Sequence, residues 1–198
     1  MSTTTVNRHE LGLTWLETSG MRRAAHALQD GERVWLVDPF ADDAALAAAA
    51  ELGRPAGVIQ LLDRHNRDCA AIARRFQVPL WHLPQTVPDS PFEVVSVISL
   101  PVWREVALWW EQQQALIVAE AVGTAPLFAL GRRLGVHPML RVTPPRGALS
   151  RHRPERVLVG HGQPVQSGGA AALTDALAAA RGDIPRLVLA LPSLFRGG

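Results

Sequence analysis

The chain has 198 residues, 47% of them hydrophobic and 19% charged, which is enough apolar material for a sizeable core and argues against disorder. Its formal net charge is +2 and its pI about 9.8, but it contains no Lys and no Tyr. All twenty basic residues are therefore Arg, almost nothing offsets a small positive charge until very high pH, and the pI is no argument for a nucleic-acid partner.

Gly31 supplies a turn before the first expected strand, "RVWLVDPF" (33–40), an apolar and partly β-branched run. Asp42 and Asp43 then open an Ala-rich helix, "ADDAALAAAAEL", with acids where a helix N-terminus favours them. "AGVIQLL" (56–62) reads as a second strand, "DCAAIARRF" (68–76) as a second helix and "VPLWHL" (78–83) as a third strand. This alternation indicates α/β layering.

The middle of the chain changes character. "FEVVSVISLPV" (92–102), "EVALWW" (105–110) and "QALIVAEAVG" (114–123) follow one another across short turns, the pattern of an antiparallel meander. Pro, Gly and Arg dominate 124–155, which reads as loop with short helical pieces. "RVLVGHGQPV" (156–165) is a further strand running into a Gly-rich turn, and "GGAAALTDALAAARG" (168–182) is a helix between glycines. The tail "IPRLVLALPSLFRGG" is apolar and broken by Pro; it packs on the body or brings copies of the chain together. No repeat or linker divides the chain, so one domain over 1–198 is expected.

Compartment and cross-linking are also constrained. Cys69 is the only cysteine, which excludes an intramolecular disulfide. The start "MSTTTVNRHELGLTWLE" lacks the basic head and apolar core of a signal peptide, and the most apolar stretch, 115–131, contains Glu120 and Pro126 and falls short of the ~20 residues of a bilayer span. A cytoplasmic protein with no membrane partner is expected.

Three loops that each follow an expected strand, 63–69, 119–124 and 160–163, carry the chemically interesting side chains. Ligand sites favour such strand ends. "VWLVDPF", "GVIQLLDRHNRDCAAIARRFQVPLWHLP", "LPVWREVAL", "ALIVAEAVGT" and "RVLVGHGQPV" come in the order of the conserved blocks of the metallo-β-lactamase fold superfamily, and from about residue 30 to residue 180 the chain resembles that family. The resemblance implies an α/β fold, a four-layer αββα sandwich with two mixed β-sheets. It also implies metal-dependent hydrolase chemistry built on the motif HxHxDH, a further His, a bridging Asp and a final His. Laid on "RHNRDC", the first His falls on Arg64, the second on Asn66, the Asp on Asp68 and the last His on Cys69. The further His is missing, with Val102 or Trp103 nearest; the bridging Asp falls on Glu120 and the final His on His161. Asp38 matches an early Asp that, by resemblance, supports the metal loop.

The two metals fare differently. Arg has no lone pair to give and stays protonated, so Arg64 repels a cation, and the first site has no imidazole. The second keeps Asp68, Cys69, Glu120 and His161, residue types that each bind zinc. The leading expectation is a catalytically degenerate member with no cofactor, in which Arg64 pairs with Asp68 and Glu120, and Arg64, His65, Asn66 and Trp103 line the former pocket. The alternative is a mononuclear hydrolase holding one zinc or other divalent transition metal on Asp68, Cys69, Glu120 and His161.

Blander readings accompany each residue. Cys69 packs as a small thiol, Asp68 caps the following helix, and His65 and Arg67 face solvent. His82 sits at a strand edge, His9, His26, His137 and His152 have no metal-like spacing, and Trp103, Trp109 and Trp110 are packing residues. A Cys69–His161 nucleophile pair is opposed by the nearby carboxylates, and no G-x-S-x-G element supports a serine triad. A non-enzymatic reading rests on Arg132, Arg133, Arg141, Arg146, Arg151, Arg153 and Arg156, a cluster that could bind an acidic or phosphate-bearing partner.

Overall fold

The computed structural model describes residues 3–65 and 67–194, with side chains to residue 190. Asn66, expected in the pocket, lies outside the described residues.

Six strands form the first sheet in chain order: β1 (Thr4–His9), β2 (Gly12–Glu17), β3 (Ala24–Asp30), β4 (Arg33–Val37), β5 (Arg54–Gln60) and β6 (Leu80–His82). The first four pair antiparallel, and β5 then joins β4, and β6 joins β5, in parallel. The two parallel steps are bridged by helices α1 (Asp43–Leu52) and α2 (Cys69–Phe76). Asp42 starts α1 by accepting the Ala45 N–H at 2.8 Å.

The second sheet begins with the expected meander, β7 (Phe92–Leu100), β8 (Trp103–Trp110) and β9 (Ala115–Val118), all antiparallel. The chain then makes a small pair, β10 (Val122–Gly123) with β11 (Gly135–Val136), and two one-turn helices, α3 (Pro126–Ala129) and α4 (Arg146–Leu149). It returns as β12 (Arg156–Val159), parallel to β9, giving the order β12-β9-β8-β7. Helices α5 (Gly169–Ala179) and α6 (Ile184–Leu194) complete the described chain.

Alternation along the strands sorts the side chains into layers. On β4, Val34 and Leu36 face α1 and α2, joining Leu46, Ala49, Ile72 and Ala73, whereas Trp35 and Val37 face the second sheet with Ile59, Val95 and Leu108. On the far side Leu173, Ala176 and Leu177 of α5 continue that larger cluster. Two mixed sheets with helices outside each are the αββα sandwich expected.

Two features differ from the sequence expectation. Residues 4–30 form three strands, none of which the pattern assigned. The tail, expected to be Pro-broken, is a continuous helix: Pro185 occupies the first turn of α6, where no backbone N–H is needed, and Pro192 falls in the last turn, where it removes one intrahelical bond without ending the helix. No described helix is long and apolar enough to cross a membrane.

Candidate metal centre

At one end of the sandwich the parallel pairs β4–β5 and β9–β12 end, and their following loops meet. Two isolated bridges, Arg23↔His161 and Leu62↔Glu105, stitch the sheets together there. The turn after β12 needs glycine. Gly162 has φ +98°, and a Cβ on it would lie 2.2 Å from Thr124 Oγ1, so only glycine lets the chain turn against the 124 loop and present His161.

Donor atoms of His65, Glu120 and His161 lie within 4.8 Å of one another. His65 Nε2 is 3.2 Å and His161 Nε2 is 3.4 Å from Glu120 Oε1. The other nitrogen of each ring points outward: His161 Nδ1 lies 2.9 Å from the Met21 carbonyl and His65 Nδ1 3.4 Å from Asp38 Oδ2. A carbonyl only accepts, so His161 Nδ1 carries a proton and Nε2 is the nitrogen that faces Glu120. That buried Nε2 has no hydrogen-bond partner. Phe128 stacks on the His161 ring at 5.3 Å and 17°, which fixes its plane.

The supporting shell is dense. Asp38, 2% exposed, also accepts the Leu61 N–H at 2.9 Å. Glu105 is 0% exposed and accepts the N–H groups of Glu120 and Ala121 at 2.9 Å each, while Trp103 Nε1 donates to its other oxygen at 3.3 Å. Burial pushes the Glu105 carboxyl up to about 7 despite those donors. Arg67 donates to the carbonyls of Ala24 (2.5 Å), Asp38 (3.0 Å) and Gly160 (3.0 Å), tying three strand ends together.

Charge is balanced around Glu120. Arg64 Nη2 donates to its Oε2 at 2.9 Å, with the guanidinium 3.7 Å above the Trp103 ring. Burial would raise the Glu120 carboxyl, but His161, His65 and Arg64 hold it well below the usual carboxylate range. Burial opposes charge on His65, and the Asp38 and Glu120 carboxylates outweigh it, so its pKa is raised.

The loops converge as expected, with Glu120 and His161 in the group, but Asp68 and Cys69 do not join it. Asp68 is exposed; its carboxylate accepts the Ala41 N–H at 2.7 Å and makes no capping bond to α2, so the expected cap is also corrected. Cys69 is 1% exposed in the α1–α2 cluster, with its Sγ 3.8 Å from the Pro39 carbonyl, and burial pushes the thiol up, away from nucleophile or ligand. Arg64 pairs with Glu120 alone, not with Asp68. Trp103 lines the pocket as expected and is buried beneath Arg64.

His65, expected at the surface, is buried, and Arg67, expected in solvent, has its guanidinium on three carbonyls. Of the Arg cluster only Arg141 is buried and Arg156 half-buried; Arg132, Arg133, Arg146, Arg151 and Arg153 are exposed, but several are engaged by the protein itself. Arg141 is 1% exposed and donates to the Phe128 carbonyl, Arg132 pairs with Asp183 at 2.7 Å, Arg133 holds the Ser167 carbonyl, and Arg156 pairs with Glu10.

Solved structures similar to this chain share its fold at low identity. TMB-1, a structure described for its substrate and inhibitor binding, matches at 12% identity and TM-score 0.65, covering 92% of this chain and 99% of its own. The metallo-β-lactamase FIM-1 from Pseudomonas aeruginosa in its mono-zinc form matches at 12% identity and TM-score 0.62, covering 91% and 96%. ETHE1 from Myxococcus xanthus matches at 14% identity and TM-score 0.57, covering 96% and 91%. No protein-family model and no curated protein matches the chain.

Proposed function

We propose that this chain, which has the metallo-β-lactamase fold, is a one-metal hydrolase that holds a single divalent transition metal on His65, Glu120 and His161 and lacks the family's two-metal centre. The observation that carries the reading is the direction of the two imidazoles. Each turns Nδ1 to an outer acceptor and Nε2 toward the same carboxylate oxygen, and the His161 Nε2 is buried without a hydrogen-bond partner among the described residues. Outer acceptors that orient ligating imidazoles in this way are a general feature of metal sites.

The donor set fits one metal and not two. Two imidazoles and a carboxylate are zinc-type ligands, whereas Arg64 stands where the first site needs an imidazole and Trp103 where another would come from. FIM-1, similar to this chain in fold, is described in a mono-zinc form, which supports a one-metal reading. A bound metal of this kind supplies Lewis acidity for hydrolysis. The protein's own groups do the rest. Glu105 fixes the Glu120 backbone, Asp38 orients His65, the Met21 carbonyl orients His161, and Arg64 places a fixed positive charge beside Glu120 where an anionic or polarised group would be held.

Elemental analysis of untagged protein purified without chelator tests this. About one equivalent of zinc, iron or manganese per chain is expected, retained in Cys69→Ser and Asp68→Asn and lost in His65→Ala and His161→Ala. Retention in both histidine variants would sink the ligand assignment.

A second reading follows from the 2.9 Å Arg64–Glu120 pair: a metal-free pocket in which Arg64 and a charged His65 neutralise Glu120, and a protein that has lost hydrolysis. No metal after soaking in zinc would select it.

A further inference from the structure

A concavity of about 600 Å3 opens at the opposite end of the strands, among the first residues of β4 and β5, the end of α2, and Trp81 of β6. Its size lies within the roughly 300–1,000 Å3 of small-molecule sites. Nothing in the proposed hydrolase site uses it.

The walls are aromatic. Trp81 lies against the β5 backbone at Gly57, where a Cβ would come within 1.9 Å of the ring, so glycine is required for the ring to lie there. Trp35 packs on Trp81 with ring centroids 5.6 Å apart, and Phe76 lines the same space. Trp35 is 2% exposed, and its indole N–H has no acceptor among the described residues, so an unused donor is buried in the lining.

Cations sit among these rings. Arg33 is committed: it pairs with Asp30 at 2.6 Å and donates to the Asp89 carbonyl. Arg54 is exposed and has no ion-pair partner among the described residues. Asp89 is the one carboxylate in the lining against these two guanidiniums. Aromatic faces select a planar ring, and an uncommitted guanidinium selects a carboxylate or phosphate.

We propose that this cavity binds a planar aromatic molecule bearing an anionic group, with its ring against Trp81 and its anion on Arg54. The site is separate from the candidate metal centre and does not depend on it.

Titration calorimetry on the full chain, stripped of metal, tests it with 2-naphthoate and 2-naphthyl phosphate as probes. Neutral 2-naphthamide and non-aromatic cyclohexanecarboxylate are the controls. One site per chain is expected for at least one naphthyl anion, with both controls about tenfold weaker or more. The stronger anion tells carboxylate from phosphate. Arg54→Gln, at an exposed position that does not threaten folding, and Trp81→Ala should each weaken binding about tenfold. His161→Ala, at the other end of the strands, should leave it unchanged. Absence of binding by either anion, equal binding by all four molecules, or full binding by Arg54→Gln would overturn the proposal. Binding lost in His161→Ala and kept in Arg54→Gln would move the anion to the metal centre instead.

Discussion

Arg64 sits 2.9 Å from a carboxylate and 3.7 Å above an indole ring, yet its side chain is 36% exposed. Exposure decides what it is worth. Removing one partner of a fully buried pair costs about 3–5 kcal/mol, but a pair open to water on one side is worth about 1 kcal/mol or less. Glu120 also keeps His65 as a partner when Arg64 is gone. Arg64→Ala is therefore expected to destabilise the metal-free protein by about 1 kcal/mol in urea denaturation, and a loss above about 3 kcal/mol would show a buried plug. Individual site residues were legible only where a residue type stands directly at a strand end. Glu120 and His161 follow β9 and β12, and the family resemblance laid on those loops picked them out. His65 was hidden because the family's motif puts its ligands on the flanking positions 64 and 66. The clue to it was Asp38, a carboxylate at the end of the adjoining parallel strand. Cys69 misled because its place in the motif matches while its side chain belongs to the helix core.

Two of the three strands that escaped the sequence share one physical cause, whereas β1 is a mostly exposed, polar strand with no apolar run to mark it. β2 and β3 are buried on both faces, so they show no polar–apolar alternation, and the "AAHALQD" of β3 is composed of good helix formers. Tertiary pairing on both sides overrides that propensity. The strands seen in advance, β4 to β9 and β12, are rich in β-branched or aromatic residues and bounded by turns. Buried polar groups in β2 and β3 are joined in a chain. His26 Nε2 lies 3.2 Å from the Val159 carbonyl and so donates to it, leaving Nδ1 to accept from Thr14 Oγ1 at 2.8 Å, which in turn takes the His9 Nε2 proton at 3.0 Å. Burial lowers the His26 pKa from 6.5 to about 3. Above pH 6.5 folded and unfolded chains both hold this ring neutral. Below it the unfolded chain takes up a proton that the folded one refuses, so stability falls as pH drops from 6.5 toward 3. The loss from this group approaches a magnitude on the order of 4 kcal/mol at the acid end. His26→Gln should flatten that slope in denaturation curves taken across the window, even if it lowers stability throughout; an unchanged slope would assign the acid sensitivity elsewhere.

Across the whole molecule, the candidate metal centre draws one residue from the first sheet's β5 loop and two from the second sheet's β9 and β12 loops. The sheets otherwise meet mainly through apolar side chains, with two single bridges and a few hydrogen bonds, those of Arg67 and His26 among them, near this end. A metal bound here would link the two halves of the sandwich, and it would bind the folded chain far better than the unfolded one, whose three donors are far apart in sequence. Linkage then fixes the size of the effect: free metal at about 100 times its dissociation constant adds roughly 2.7 kcal/mol. For a chain of this length each kcal/mol moves the melting temperature by about 2–4 °C, so zinc addition should raise it by about 5–10 °C and chelator should reverse the gain. The shift should vanish in His161→Ala and persist in Cys69→Ser. A shift equal in all three would mean that the metal acts at the surface. A shift absent from the unaltered chain would leave Arg64 and His65 as the only cations balancing Glu120, and the sandwich held there by its apolar core and its ion pairs.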